Sequence, residues 1–231
     1  PRATVALICA ASSGESVVDS NGNAYVLAAG PTVYPNVATQ SVYYAPNIAA
    51  AAAGANIVTV AFSPAAPFPD IRIAEYRGIA TSNPVDGAIG ATGTSTTSSS
   101  GALATTNAND LLIGANLVAT GTTGAGAGFT SRGITVPDGD ILEDQIVTAA
   151  GSYTATAPIA PSGQWIMQLV AFKAAGSVAD TQPPTAPSNL VATPISQGQI
   201  NLSWTAATDN VGVTGYHIDR CQGASCTTFA E

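Results

Sequence analysis

The sequence predicts an all-β protein, and three observations carry that prediction. β-Branched and aromatic residues recur in short runs, Gly, Pro, Asn and Asp separate those runs, and stretches with helical character are scarce. The runs Val17-Val18 and Tyr25-Val26-Leu27 flank Asp19 to Asn23, where Asn21-Gly22 supplies the positive φ angles of a tight turn, so a hairpin is expected there. Further strands are expected at Gln40 to Ala45, Asn56 to Phe62, Asp70 to Tyr76, Leu111 to Ala119, Gly128 to Val136, Ser152 to Ala157 and Gln164 to Phe172. In Asp70 to Tyr76, Ile71 and Ile73 point one way and Asp70 and Arg72 the other, the pattern of a half-buried strand. Both faces of Gln164 to Phe172 are largely apolar, which predicts a central strand. The Ala49 to Ala53 run fits either one or two helical turns or a tight crossover.

Composition divides the chain. Residues 1–175 read as one β-sandwich, 176–188 as a stiff linker carrying Pro183, Pro184 and Pro187, and 189–231 as the start of a second domain. Of 231 residues 46% are hydrophobic and 9% charged, enough apolar content for a real core. The formal net charge of -8 works against sequence-independent binding to nucleic acid or an anionic membrane. Polar residues interrupt every apolar window well before the ~20 residues of a membrane span, so no membrane insertion is expected. A neutral polar surface suits a protein outside the cell, coated with sugar or packed against copies of itself. The chain opens on Pro1 with neither Met nor signal peptide, and a trimmed precursor is expected.

Few residues carry chemistry. His217 is the sole histidine; on an expected strand over 215–220 it faces outward between inward Tyr216 and Ile218, with no triad partner, so no catalytic residues are assigned. Gly121 to Gly128 lacks the Lys and following helix of a phosphate-binding loop and reads as a connection between strands. Asp138, Asp140, Glu143 and Asp144 concentrate four carboxylates around a Gly-containing turn, a candidate Ca²⁺ site with a plain solvated turn as the alternative; no other cofactor is expected. Trp165, Tyr43, Tyr44 and Tyr76 form either a sugar-stacking platform or core, with core favoured for Trp165.

Cys221 and Cys226 enclose a short loop, and a bridge between them would contribute roughly 2 kcal/mol and place the protein outside the reducing cytosol; two free thiols are the alternative. Cys9 is expected to be a buried, inert thiol. Dense hydroxyls without bulky neighbours make Thr94, Thr96, Thr97, Ser98, Ser99 and Ser100, in an expected flexible loop, candidates for O-linked glycans, joined by Thr181 and Thr185 beside the linker prolines.

Pro184-Thr-Ala-Pro-Ser-Asn-Leu190, Ile200-Asn-Leu-Ser-Trp-Thr205 and Asp209-Asn-Val-Gly-Val-Thr-Gly-Tyr216 resemble the first strands of a fibronectin type III domain, with Trp204 and Tyr216 at that family's core positions. Such a sandwich takes about seven strands, so the resemblance implies an incomplete one here. Val18-Asp-Ser-Asn-Gly-Asn-Ala-Tyr25, Asp70-Ile-Arg-Ile-Ala-Glu-Tyr76 and Thr106-Asn-Ala-Asn-Asp-Leu-Leu112 resemble β-sandwich domains of secreted bacterial surface proteins, mostly of unassigned function. That resemblance implies a jelly-roll-like β-sandwich and a strand ahead of the one opening at Val5.

Two functions follow as expectations. The first is a non-enzymatic extracellular filament or surface-layer subunit, partnered with copies of itself and carrying O-linked glycans. In it Val5, Ala6, Leu7 and Ile8 would complete the open sheet of a neighbour, an expectation tipped by the open C-terminal sandwich and clipped start. The second is a carbohydrate-binding or adhesion module of a larger secreted enzyme.

Overall fold

The computed structural model describes residues 2–10, 15–66, 68–175, 183–196, 198–208, 213, 215–219 and 221. The chain divides into two compact units, Pro1–Gly176 and Ser177–Glu231. The protein is all-β. In the first unit the strands are β1 (Arg2–Ala10), β2 (Glu15–Asp19), β3 (Val26–Tyr34), β4 (Ala38–Ala45), β5 (Val58–Phe62), β6 (Asp70–Arg77), β7 (Val85–Ser99), β8 (Leu103–Ala104), β9 (Asp110–Val118), β10 (Thr130–Ile134), β11 (Ile141–Val147), β12 (Ser152–Tyr153) and β13 (Thr156–Lys173). They form a four-stranded sheet, β3-β4-β1-β6, a five-stranded sheet, β10-β11-β9-β13-β7, and two ribbons, β8-β12 and β2-β5, with every pairing antiparallel.

The two larger sheets form a sandwich because the five-stranded sheet is apolar on both faces. Along β9 and β13, Ile113, Ala115, Val170 and Phe172 meet Ala29 and Val42 of the four-stranded sheet, and Tyr44 packs edge-on against Phe172 at 5.5 Å. The alternate residues Leu112, Val118, Trp165, Met167, Leu169 and Ala171 point the other way, under Leu103, Ala155 and Ile159. Fully burying each large side chain contributes about 1.5–3 kcal/mol, so this doubly covered sheet dominates the core. β13 lies between β9 and β7, in the central position expected of its apolar faces.

The structure corrects two of these expectations and sharpens two others. β2 pairs with β5 and not with β3, so the Asn21-Gly22 turn joins the β2-β5 ribbon to the four-stranded sheet instead of closing a hairpin. The Asp19 carboxylate organises that turn, accepting from the backbone N–H of Asn21 and Asn23 and from the side chains of Asn23, Asn56 and Tyr25. β6 alternates as a half-buried strand, and its inward face is the one that carries Arg72: Ile71 and Ile73 are 40% and 48% exposed while Arg72 is 7% exposed. The buried guanidinium is tolerated because it donates to the carbonyls of Ile141 and Asn116 on the opposite sheet and pairs with Asp70 at 3.2 Å. Thr92 to Ser99 lie in β7, hydrogen-bonded to β13, and are not a flexible loop. The Ala49 to Ala53 run is neither helix nor strand and ends in a turn closed by Ala55 N–H on the Ala52 carbonyl.

β1 bears directly on assembly. It pairs with β4 on one edge and β6 on the other, with Val5, Ala6, Leu7 and Ile8 in register on both sides. A strand engaged on both edges within its own chain has no ladder to offer a neighbour, so the expected donor role of these four residues is corrected.

In the second unit β14 (Ser188–Ser196) and β15 (Gln199–Thr205) form an antiparallel hairpin. Trp204 meets Tyr216 edge-to-face at 5.2 Å, and the Tyr216 hydroxyl accepts from the Ala207 N–H at 2.8 Å. Residues 215–219 are described but are not in a strand, and His217 and Ile218 are both exposed.

Candidate functional site

The acidic segment 138–144 is the turn into β11, and the structure separates its carboxylates. Asp138 is exposed. Asp140 is buried and accepts from the Val118 N–H at 2.7 Å; burial pushes its carboxyl above the usual range against the pull of Arg72 and this N–H, and the Asp70 carboxylate adds to the rise. Glu143 and Asp144 are strand neighbours and so face opposite sides of the sheet. Glu143, fully buried beside Gly114 and Ala155, accepts from the Gly126 N–H at 2.8 Å, and burial raises its carboxyl to about 7. Asp144 faces the four-stranded sheet, with Leu142. The expected shared Ca²⁺ site is therefore not assembled, and among the described residues no three His, Cys, Asp or Glu side chains converge.

Asp144 instead anchors a cleft. Its buried carboxylate accepts two bonds from Arg132, at 2.6 Å from Nε and 2.8 Å from Nη2, and a third from the Tyr76 hydroxyl at 2.8 Å. Burial and this bond to a carboxylate hold the Tyr76 phenol well above its ordinary range; the same carboxylate raises Arg132. Tyr76 stands on β6 and Arg132 on β10, the edge strands of the two sheets. Between them opens a cavity of about 380 Å³ lined by Ile73, Ala74, Glu75, Tyr76, Arg132 and Leu142. Sequence reasoning misses Arg132. The signal that points to it is composition: with only 6 basic residues against 14 acidic ones, each Arg is a strong candidate for a defined carboxylate partner.

The other candidates scatter. Trp165 is core, its Nε1 donating to Ser95 Oγ at 2.9 Å; Tyr44 packs on Phe172 and Tyr76 is tied to Asp144, so with Tyr43 they form no common platform. Ser98 and Ser100 are fully buried, Ser98 donating to the Ala157 carbonyl and Ser100 accepting from the Ala155 N–H, which leaves no room for a glycan on either. Thr94, Thr96 and Thr97 are exposed and Ser99 is half-buried. Thr185 is exposed and bonded to Thr208, while Thr181 lies outside the described residues. Cys221 carries a disulfide bond; Cys226 lies outside the described residues, so their pairing stays an expectation. The Gly121 to Gly128 connection folds onto the start of β13: a Cβ at Gly126 would collide with the Thr156 carbonyl oxygen.

No helix among the described residues is long and apolar enough to cross a membrane. No family model matches the chain, and no solved structure matches it. Short stretches are similar to known proteins. Chitinase A1 of Niallia circulans is 64% identical over 39 residues, 17% of this chain and 6% of that protein. The alpha-amylase of the same organism is 52% identical over 44 residues, 19% of this chain and 3% of that protein. Exoglucanase A of Cellulomonas fimi is 40% identical over 87 residues, 33% of this chain and 10% of that protein. The chain thus spans no more than a tenth of the length of these relatives.

Proposed function

We propose that this chain is a non-catalytic, carbohydrate-binding part of a larger secreted polysaccharide-degrading enzyme. One observation carries the reading: short, high-identity stretches are shared with proteins named for three different activities, chitinase, alpha-amylase and exoglucanase. Each match occupies a tenth or less of its relative, too small a share to carry three different activities. The matches of 39 and 44 residues are comparable in length to the fibronectin-like stretch 189–231, and their parent enzymes are expected to work outside the cell. Consistent with a non-catalytic role, Asp140 and Glu143, the two carboxyls that burial raises furthest, are sealed from solvent and placed apart from the cleft lining. A head-to-tail filament has less support, because the strand expected to link subunits is paired at both edges inside its own chain.

Mixing the purified chain with insoluble chitin, cellulose and granular starch, then measuring protein left in solution, tests the reading. Retention on at least one of them, without release of soluble sugar, is the expected result. Absence of retention on all three, or hydrolysis abolished by Glu143→Gln, would overturn it.

A further inference from the structure

We infer that the outer edge of β7 is a docking surface for a second copy of this chain, the two strands pairing antiparallel about a twofold axis at Ala91. This goes beyond the carbohydrate-binding reading and does not depend on it. β7 is the last strand of the five-stranded sheet and, among the described residues, hydrogen-bonds to no strand but β13. Its other edge turns a row of backbone N–H and C=O groups away from the sheet, a template for one more strand.

The other three edges of the two larger sheets are blunted. β3 contains Pro31 and two register shifts, β6 carries Asp70, Arg72, Glu75 and Arg77, and β10 has only five residues, with a register shift around Arg132. Proline, charge, brevity and bulges each discourage pairing between sheet edges. β7 has no such guard along most of its 15 residues: Asp86 is its one charged residue, and it contains neither Pro nor Lys. Its ladder with β13 runs unshifted from Gly87 to Ser95, and a register shift bounds it at each end.

This regular stretch is complementary to itself. Ala91 is its midpoint, so a twofold contact centred there uses all nine residues. Ile89 then faces Gly93 of the second copy, and Thr92 faces Gly90. Thr94 likewise meets Ala88, and Ser95 meets Gly87. Each larger side chain lies opposite Gly or Ala, so the ladder closes without collision. Trp165 packs over Gly93, on the same face as Ile89, and gives the incoming Ile89 an apolar neighbour. Charge permits the contact. Asp86 falls opposite Thr96, leaving the two Asp86 carboxylates on the order of 30 Å apart, beyond the Debye length at physiological salt. An unrelated extended peptide would meet the same backbone groups without this matching of sizes, which favours the second copy as occupant.

The test is sedimentation velocity on the full chain across a concentration series, with Thr92→Lys, Thr92→Glu and an equal mixture of the two. Thr92 is exposed in the single chain, and pairing about Ala91 sets the two copies of it diagonally across the axis, about 7–8 Å apart. The parent is expected to dimerise. Like charges across the axis should weaken each variant roughly tenfold, and the mixture should recover the dimer because Lys then meets Glu. If a variant does not fold, amide hydrogen exchange of the parent decides. Protection that rises with concentration only within 87–95 supports the edge, and protection that rises instead at another edge, such as 130–134, overturns it. A dimer unaffected by either substitution, or a mixture no tighter than the single variants, overturns the pairing. A parent that stays monomeric at about 1 mM overturns it too and leaves the edge to a different strand.

Discussion

Gln168 donates its side-chain amide to the backbone carbonyl of Gln40 at 3.0 Å, joining β13 to β4 through two fully buried glutamines. Gln40 returns a bond to the Ala115 carbonyl at 2.9 Å, and Gln168 also reaches Thr32 Oγ1 at 2.8 Å. Apolar contacts between sheets tolerate sliding, whereas buried amides have few acceptable registers, so this cluster fixes how the two layers meet.

Gly30 makes the approach possible. Its φ is +103°, and a Cβ there would lie 2.6 Å from the Gln40 carbonyl oxygen and 2.9 Å from Gln168 Nε2. Gly30→Ala should therefore cost about 2 kcal/mol or more. Gly22, with φ +71° and nothing within 4 Å of its added Cβ, is the control: Gly22→Ala suffers only the backbone strain, about 1 kcal/mol. Urea unfolding midpoints that shift equally for the two variants would refute the interlayer role.

Arg72→Met should be more damaging than its size implies. The guanidinium supplies the Ile141 and Asn116 carbonyls and offsets the Asp70 and Asp140 carboxyls beside it. Removing the cation strands buried acid groups, at a cost of about 3–5 kcal/mol near neutral pH. The loss should shrink in acid, where Asp140, raised by burial, holds its proton. Chemical denaturation at pH 4 and pH 7.5 checks this, and an equal loss at both values would speak against the electrostatic cause.

Arg72 also marks the boundary between what is legible in the sequence and what is not. β9 and β13 are legible because a strand buried on both faces must be apolar at successive positions, and a short apolar run bounded by turn residues is what such a strand leaves in the sequence. β6 is not, because alternation shows only that two faces differ, and hydrophobicity alone selects the wrong inner one; Arg72 reverses that choice through partners distant in the chain. Pairing of β2 with β5 depends on contacts across the intervening strands, which a local Asn-Gly signal does not encode. The composition of Thr92 to Ser100 resembles a loop, yet long partners on β13 hold most of it as a strand. The candidate site is half visible: Asp144 and Tyr76 stand out separately in the sequence, and only the fold brings Tyr76 and Arg132 onto the same carboxylate.

Any O-linked modification of this segment should follow exposure and not hydroxyl count. Thr96 and Thr97 are exposed near the register shift between Pro158 and Gly163, whereas Ser98 and Ser100 are sealed by hydrogen bonds to the backbone. Glycopeptide mapping of native material should place sugar on Thr96 or Thr97 and never on Ser98 or Ser100. Occupancy of either buried serine would contradict the strand assignment.

Glu143 predicts the pH dependence of stability. Its carboxyl is fully buried, one oxygen accepts the Gly126 N–H, and the other has no partner. Burial outweighs that one bond, and the nearby Asp144 charge adds to the rise, so the group holds its proton up to about pH 7, against an ordinary value of 4.5. Between these values the folded chain binds more protons than the unfolded one, so raising the pH favours unfolding. The stabilisation is complete below pH 4.5 and is lost as pH rises through 7, at a cost on the order of 3 kcal/mol. Asp140, also raised by burial, acts in the same direction. Asp19 acts oppositely: partial burial pulls it up, but hydrogen bonds from Asn23, Asn56 and Tyr25 prevail and set it at about 2, so its contribution is lost only as pH falls toward that value. Glu143→Gln keeps an acceptor for Gly126 without an ionisable proton. It should leave stability at pH 4 nearly unchanged, raise it at pH 8 and flatten the slope between. Urea unfolding across that range is the check, and a variant with the parent's slope would exclude Glu143 as its source.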